Sequence, residues 1–69
     1  VIYQYEIDFS VMYNDRVTTV QSATVPAQSL EFAKEKLKTE IKRRIGNCEI
    51  SIRSASLQVS EDEKYSIMI

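Results

Sequence analysis

The residues of this chain that could do chemistry are few, and their spacing favours recognition over catalysis. The sequence contains no histidine, so the side chain that most often moves a proton near neutral pH is missing. Cys48 is the one thiol. It follows the end of a predicted helix rather than standing at a positive N-terminus, and no imidazole could activate it, so it reads as a small strand residue. Glu6 and Asp8 are two apart on a predicted strand and share its polar face. Paired carboxylates can share a proton or hold a cation, but two ligands without a third read as a solvated face. Glu61, Asp62 and Glu63 make an acidic turn without the glycine or ligand spacing of an EF-hand loop. A single glycine cannot build a phosphate-cradling loop, and no Walker, Rossmann or CxxC pattern occurs. The expectation is a protein that is not an enzyme and uses no metal or cofactor.

One pattern points to a partner. Residues 29–46 predict an amphipathic helix. At about 100° per residue, Leu30, Ala33, Leu37, Ile41 and Ile45 fall on one side. Phe32, Lys36, Thr39 and Arg43 fall on the other, flanked by Lys42. An aromatic ring opposite the apolar face, ringed by cations, could anchor in a partner's pocket. The competing reading folds the ring onto the 22–28 segment near Val25 and Pro26. A nucleic-acid-associated protein using Lys36, Lys42, Arg43 and Arg44 is the alternative class, because such side chains make phosphate contacts. The net charge of −1 and a pI near 5.3 count against it. So does the predicted outward sheet face of Gln4, Glu6, Asp8, Ser10, Thr18, Ser51 and Ser66, which offers no aromatic platform for bases.

Charge is unevenly spread along the chain. Residues 1–28 carry Glu6, Asp8 and Asp15 against Arg16, a net −2. Residues 29–53 carry Lys34, Lys36, Lys38, Lys42, Arg43, Arg44 and Arg53 against Glu31, Glu35, Glu40 and Glu49, a net +3. The helix is thus a basic element on an acidic body, an asymmetry that steers charged partners.

The elements that must position these residues follow from periodicity. Val1 to Tyr13 alternates with period two, placing Val1, Tyr3, Tyr5, Ile7, Phe9, Val11 and Tyr13 on one face of a long strand. Asn14-Asp15 is a turn signal. Residues 16–25, rich in Val and Thr, read as a second strand in a hairpin, with Val17, Ala23 and Val25 on one face and Val20 out of phase. Pro26 should end that strand. Ser29 is the predicted N-cap, and Gly46 or Asn47 the left-handed C-cap. Ile50 and Ile52 alternate on one parity, Leu57 and Val59 on the other, so a bulge or a break falls near Ser54. Residues 60–64 read as a polar turn before a terminal strand with Tyr65, Ile67 and Ile69.

The 69 residues therefore predict one α+β domain, ββαββ, with one helix packed on a four-stranded, mostly antiparallel sheet. The core would comprise Tyr3, Tyr5, Ile7 and Phe9 with Leu37, Ile41, Ile50, Ile52, Tyr65 and Ile67. In element order and chain length this resembles the β-grasp-like arrangement of the immunoglobulin-binding domains of streptococcal protein G and protein L. That resemblance implies a central parallel pair formed by the first and last strands. No motif is shared, so it implies no binding residue or activity. A meander-like order is the other arrangement.

A lone cysteine suits a reducing cytoplasm. No apolar run approaches the roughly 20 residues that span a bilayer, and Val1 to Gln4 lacks a signal peptide's basic start. The functional expectation is a small cytoplasmic binding or regulatory module that docks on a protein through its helix face or a sheet edge, either 16–25, where the neutral Gln21, Ser22 and Thr24 would not discourage pairing, or the Ser-rich 51–60. Compact chains of this kind suit accessory factors of bacteria or mobile elements. A homodimer would add core to a marginal scaffold.

Overall fold

The computed structural model describes residues 1–59 and 63–68. It is an α+β fold of one helix and an antiparallel sheet, in the order β-β-β-α-β-β. β1 (Tyr3–Tyr13) is the central reading frame. Asn14 and Asp15, with φ of 52° and 60°, form the two-residue turn that folds β2 (Arg16–Val17) back on it. β3 (Gln21–Ala27) continues along the same edge of β1. Helix α1 (Leu30–Ile45) follows, then β4 (Glu49–Gln58) on the opposite edge of β1 and β5 (Lys64–Met68) beyond it.

The segment predicted as one strand over 16–25 is interrupted. Met12 pairs with Val17 and Phe9 with Gln21, so three steps on β1 face four on its neighbour. The extra residue falls in 18–20, where the Thr18 hydroxyl accepts from the Val11 amide at 3.0 Å and the Thr18 amide donates to the Val11 carbonyl at 2.9 Å. The shift puts Val17 opposite Met12, on the face away from Ala23 and Val25, which corrects the expectation that the three share a side. β4 carries the second irregularity. Asp8 pairs with Ser54 and Phe9 with Ile52, leaving Arg53 as the bulged residue. The parity change near Ser54 is therefore a bulge within one strand. It lets Ile50 and Ile52 face the helix on one side of it, and Ala55 and Leu57 on the other.

Pro26 does not end β3; it sits inside it, paired with Gln4. The position is tolerable because β3 is an edge strand and needs hydrogen bonds on one side only. The β-grasp order is not the one adopted. β5 lies at the far edge against β4, and every strand pair is antiparallel. Of the expected 60–64 turn, Ser60, Glu61 and Asp62 lie outside the described residues, as does Ile69 of the last strand.

Local chemistry sets the helix ends. Ser29 is extended (φ −149°, ψ 165°), and its hydroxyl accepts from the Phe32 amide at 3.4 Å. Ser29→Ala should cost about 1 kcal/mol in urea unfolding, whereas Ser29→Asp should keep the cap; equal losses in both would show that the cap does not contribute. Gly46 closes the other end with φ 96° and ψ −139°, outside the left-handed helical region but readily reached only by glycine, and its amide donates to the Lys42 carbonyl.

The helix covers β3 and β1, and this decides the core. Tyr5, Ile7, Phe9, Val11, Val25, Ala27, Ala33, Leu37, Cys48 and Ala55 are buried, with Ile41, Ile50, Ile52 and Leu57 packed partly against them. Tyr3, Tyr65 and Ile67, expected in the core, are exposed. Tyr65 and Ile67 ride on β5, two strands from the helix, where nothing covers them. Tyr3 lies at the end of β1, edge-on to Tyr5 with ring centroids 6.3 Å apart.

Candidate functional site

The helix runs back along β3, and the two enclose a groove on the outer flank of the domain. Its volume is about 610 Å³, walled by Ala23 to Pro26 on the strand and by Phe32, Lys36, Thr39 and Glu40 on the helix. Phe32 is 55% exposed. Its ring lines the groove with Val25 and Pro26 yet is not shielded by them, so both sequence readings of this residue describe part of its setting. Lys36 reaches across and donates to the Pro26 carbonyl at 2.9 Å.

That bond fixes which atoms of β3 face the groove. In an antiparallel strand the N–H and C=O of one residue point to the same side, and the side alternates along the chain. The Pro26 carbonyl points away from β1, so the backbone groups of Ser22 and Thr24 do too. Gln21, Ala23, Val25 and Ala27 instead bond to β1. Beside the exposed ring, β3 thus presents the donor and acceptor of Ser22 and of Thr24 as an open edge, terminated at Pro26, which has no N–H, and capped there by Lys36.

Of the expected stripe, Phe32, Lys36 and Thr39 line this groove, whereas Arg43 is not among its lining residues. Arg43 donates to both Glu40 oxygens at 2.8 and 3.0 Å, and Arg44 pairs with the same carboxylate at 3.4 Å. Lys42 lies on the other flank of the helix, with Lys38, Cys48, Glu49 and Ile50. The four cations of the nucleic-acid alternative are therefore not one patch: Lys36 and Lys42 face opposite sides of the helix, and Arg43 and Arg44 share a carboxylate between them. The sequence marks 16–25 as a strand whose Gln21, Ser22 and Thr24 would not discourage edge pairing; it does not say that the edge is open here or that Ser22 and Thr24 are the ones whose backbone turns outward. The available signal was Pro26, whose lack of an N–H marks both the edge strand and the parity that points outward.

The uncovered face of the sheet carries the two carboxylates considered for cation or proton chemistry, and both are engaged within the sheet. Asp8 accepts from the Ser22 hydroxyl on β3 and from the Ser54 hydroxyl on β4 at 2.8 Å, tying three strands together. Glu6 pairs with Lys64 of β5 at 2.7 Å. Among the described residues no group of three or more potential metal-ligating side chains occurs.

Hydrogen bonds from Ser22 and then Ser54 hold the Asp8 carboxyl below its ordinary value of 3.8, with burial opposing and Lys64 adding a smaller push downward. A lowered folded value means that the ionised form favours the fold. The contribution is complete above 3.8 and is lost as pH falls through the lower folded value. Urea midpoints measured from about pH 5 to about pH 2 should therefore fall more steeply for wild type than for Asp8→Asn; parallel curves would remove Asp8 from the account. Cys48 is buried and lies just before β4 rather than within it, which corrects its reading as a strand residue.

Comparison with protein-family models, with curated proteins and with solved structures finds no match for this chain.

Proposed function

We propose that this chain is a protein-binding accessory module that receives an extended segment of its partner in the groove between α1 and β3. The observation that carries the reading is the coincidence of an open strand edge with an exposed aromatic wall. Phe32, Lys36 and Thr39 flank the outward-facing backbone of Thr24, and the Ser22 backbone continues the same edge beyond the groove. An added strand gains affinity from main-chain hydrogen bonds and selectivity from the pocket beside them. The helix face and the sheet edge, which the sequence offered as separate routes, then serve as two walls of one site. Pro26 and the Lys36 ammonium limit how far an incoming strand can pair, so register is defined by Ser22 and Thr24.

The test is affinity capture from lysate of the source organism, with nuclease present, using wild type and Phe32→Asp. Wild type should retain a partner that Phe32→Asp does not. Capture that disappears with nuclease, or that survives the substitution, would overturn the reading.

A further inference from the structure

Resting on that docking reading, we infer that the occupant the groove is built to take is a second copy of this chain, related by a two-fold axis through Ala23 and perpendicular to the sheet. The outward backbone groups of β3 belong to Ser22 and Thr24, and these are symmetric about Ala23. An antiparallel copy centred there sets Ser22 opposite Thr24 of the second copy and Thr24 opposite Ser22. Each pair exchanges both N–H···O bonds, so four form. Pro26, which cannot donate, falls beyond this centre. Registers centred on Ser22 or Thr24 bring in Val20, in the irregular 18–20 segment, or Pro26, which lacks an N–H and whose carbonyl Lys36 already occupies, so this one alone pairs Ser22 and Thr24 with each other. The two sheets become one, with both helices on the same face.

The helices then meet in a geometry that proteins use. α1 packs mainly on β3, the strand beside the two-fold, so the pairing lays the two helices side by side on one face of the joined sheet; a helix centred between β3 and β1 would set the axes about 10 Å apart, the upper end of ordinary helix packing. The helices run antiparallel across the axis. Leu37 and Glu40 lie at the level of Ala23, so Thr39, a small side chain, falls near the two-fold. Lys36 then lies near Glu40 of the second copy, and the Phe32 ring near Arg43 of the second copy, where a guanidinium can rest on its face. The helix begins with Glu31 and ends with Lys42, Arg43 and Arg44. Antiparallel pairing runs the two helix dipoles in opposite senses, with Arg43 and Arg44 as the end cations nearest the second copy, Lys42 being on the far flank. The far edge of the sheet is less suited, because β5 is bulged between its pairings with Ser56 and Ala55.

About thirteen residues a side, at the roughly 30 Å² per residue of ordinary interfaces, bury about 800 Å² in total, short of the roughly 1,200 Å² of stable complexes. The dimer is therefore weak and concentration-dependent.

Sedimentation of the whole chain from about 10 to about 500 µM, a range suited to weak association, tests this, with reductant present so that a Cys48 disulfide cannot imitate the dimer. Two variants accompany wild type. Thr24→Pro removes one outward N–H per copy without touching the bonds to β1, and so two of the four bridging bonds. Thr39→Glu, on an exposed helix position, brings two carboxylates together at the axis. Wild type should pass from monomer to dimer, and each variant should weaken association at least about tenfold. A wild type that stays monomeric throughout, or a dimer that both variants leave unchanged, overturns the inference. Lysate capture by the same proteins separates the two claims. A monomeric wild type whose partner capture is lost in Thr24→Pro sinks self-pairing and leaves the docking reading standing. A dimer weakened by both variants, alongside capture indifferent to Phe32→Asp, supports self-pairing and sinks docking on a different protein.

Discussion

Ile7→Ala is expected to remove a large share of the chain's stability at 25 °C. Ile7 is fully buried at the centre of β1, under the helix. Its cross-strand neighbours are Ala23 on one side and Ala55 on the other. Two alanines cannot fill the space that the side chain vacates, so the cavity persists. Truncating a buried isoleucine to alanine costs about 2–5 kcal/mol. A domain of this size holds roughly 3–10 kcal/mol in all, and no disulfide braces it, since Cys48 is free. The loss thus consumes a large share of the total. Urea unfolding followed by far-ultraviolet circular dichroism measures it directly. Ile67→Ala, at a position 47% exposed, should cost under about 1 kcal/mol by the same method. A loss at Ile7 no larger than that at Ile67 would contradict the placement of the core over β1 and β3.

Phe32→Asp should have the opposite signature, leaving the fold in place and removing the partner. Phe32 is the third residue after the Ser29 cap, and its side chain is more than half exposed. A carboxylate in the first helical turn interacts favourably with the positive end of the helix, which offsets the small apolar contact given up. The melting temperature should therefore move by only a few degrees. In the groove the same change places a charge where a partner's apolar side chain would seat. Loss of an aromatic anchor at the centre of an interface costs about 2 kcal/mol or more, a fall in affinity of about thirtyfold. Thermal melting and capture, measured on one preparation, separate the cases. Unfolding of Phe32→Asp would make the ring a structural element of the β3–α1 corner.

The elements were legible in the sequence where their signals are local. Alternation from Tyr3 to Tyr13 gave β1, Asn14-Asp15 gave its turn, and Ser29 and Gly46 bounded the helix. The parity change between Ile52 and Leu57 betrayed the Arg53 bulge. What was not legible depends on which strands meet. The interruption at 18–20 follows from the register of β2 and β3 against β1, since Val and Thr favour a strand whatever their partner. Pro26 reads locally as a terminator, and becomes a strand residue because β3 has a free edge. Tyr65 and Ile67 have the pattern of a core strand, but one helix is too narrow to cover a sheet four strands wide, and β5 is the strand left out. For the site, helical periodicity found Phe32, Lys36 and Thr39. The neutral polar run Gln21, Ser22 and Thr24 suggested a pairing edge, but which of these turn their backbone outward depends on the register of β3 against β1 and could not be read locally.

The central claim is that the outward edge of β3, beside Phe32, is the surface that receives a partner. Amide hydrogen exchange of the isotopically labelled chain, residue by residue, tests it most directly. In dilute protein the Ser22 and Thr24 amides should exchange quickly while Ala23 and Val25, bonded to β1, exchange slowly. With the captured partner added, or with concentration raised until the chain pairs, Ser22 and Thr24 should become protected. Ser22 and Thr24 amides already as slow as their neighbours in dilute protein, or still fast once a partner is bound, would contradict the account.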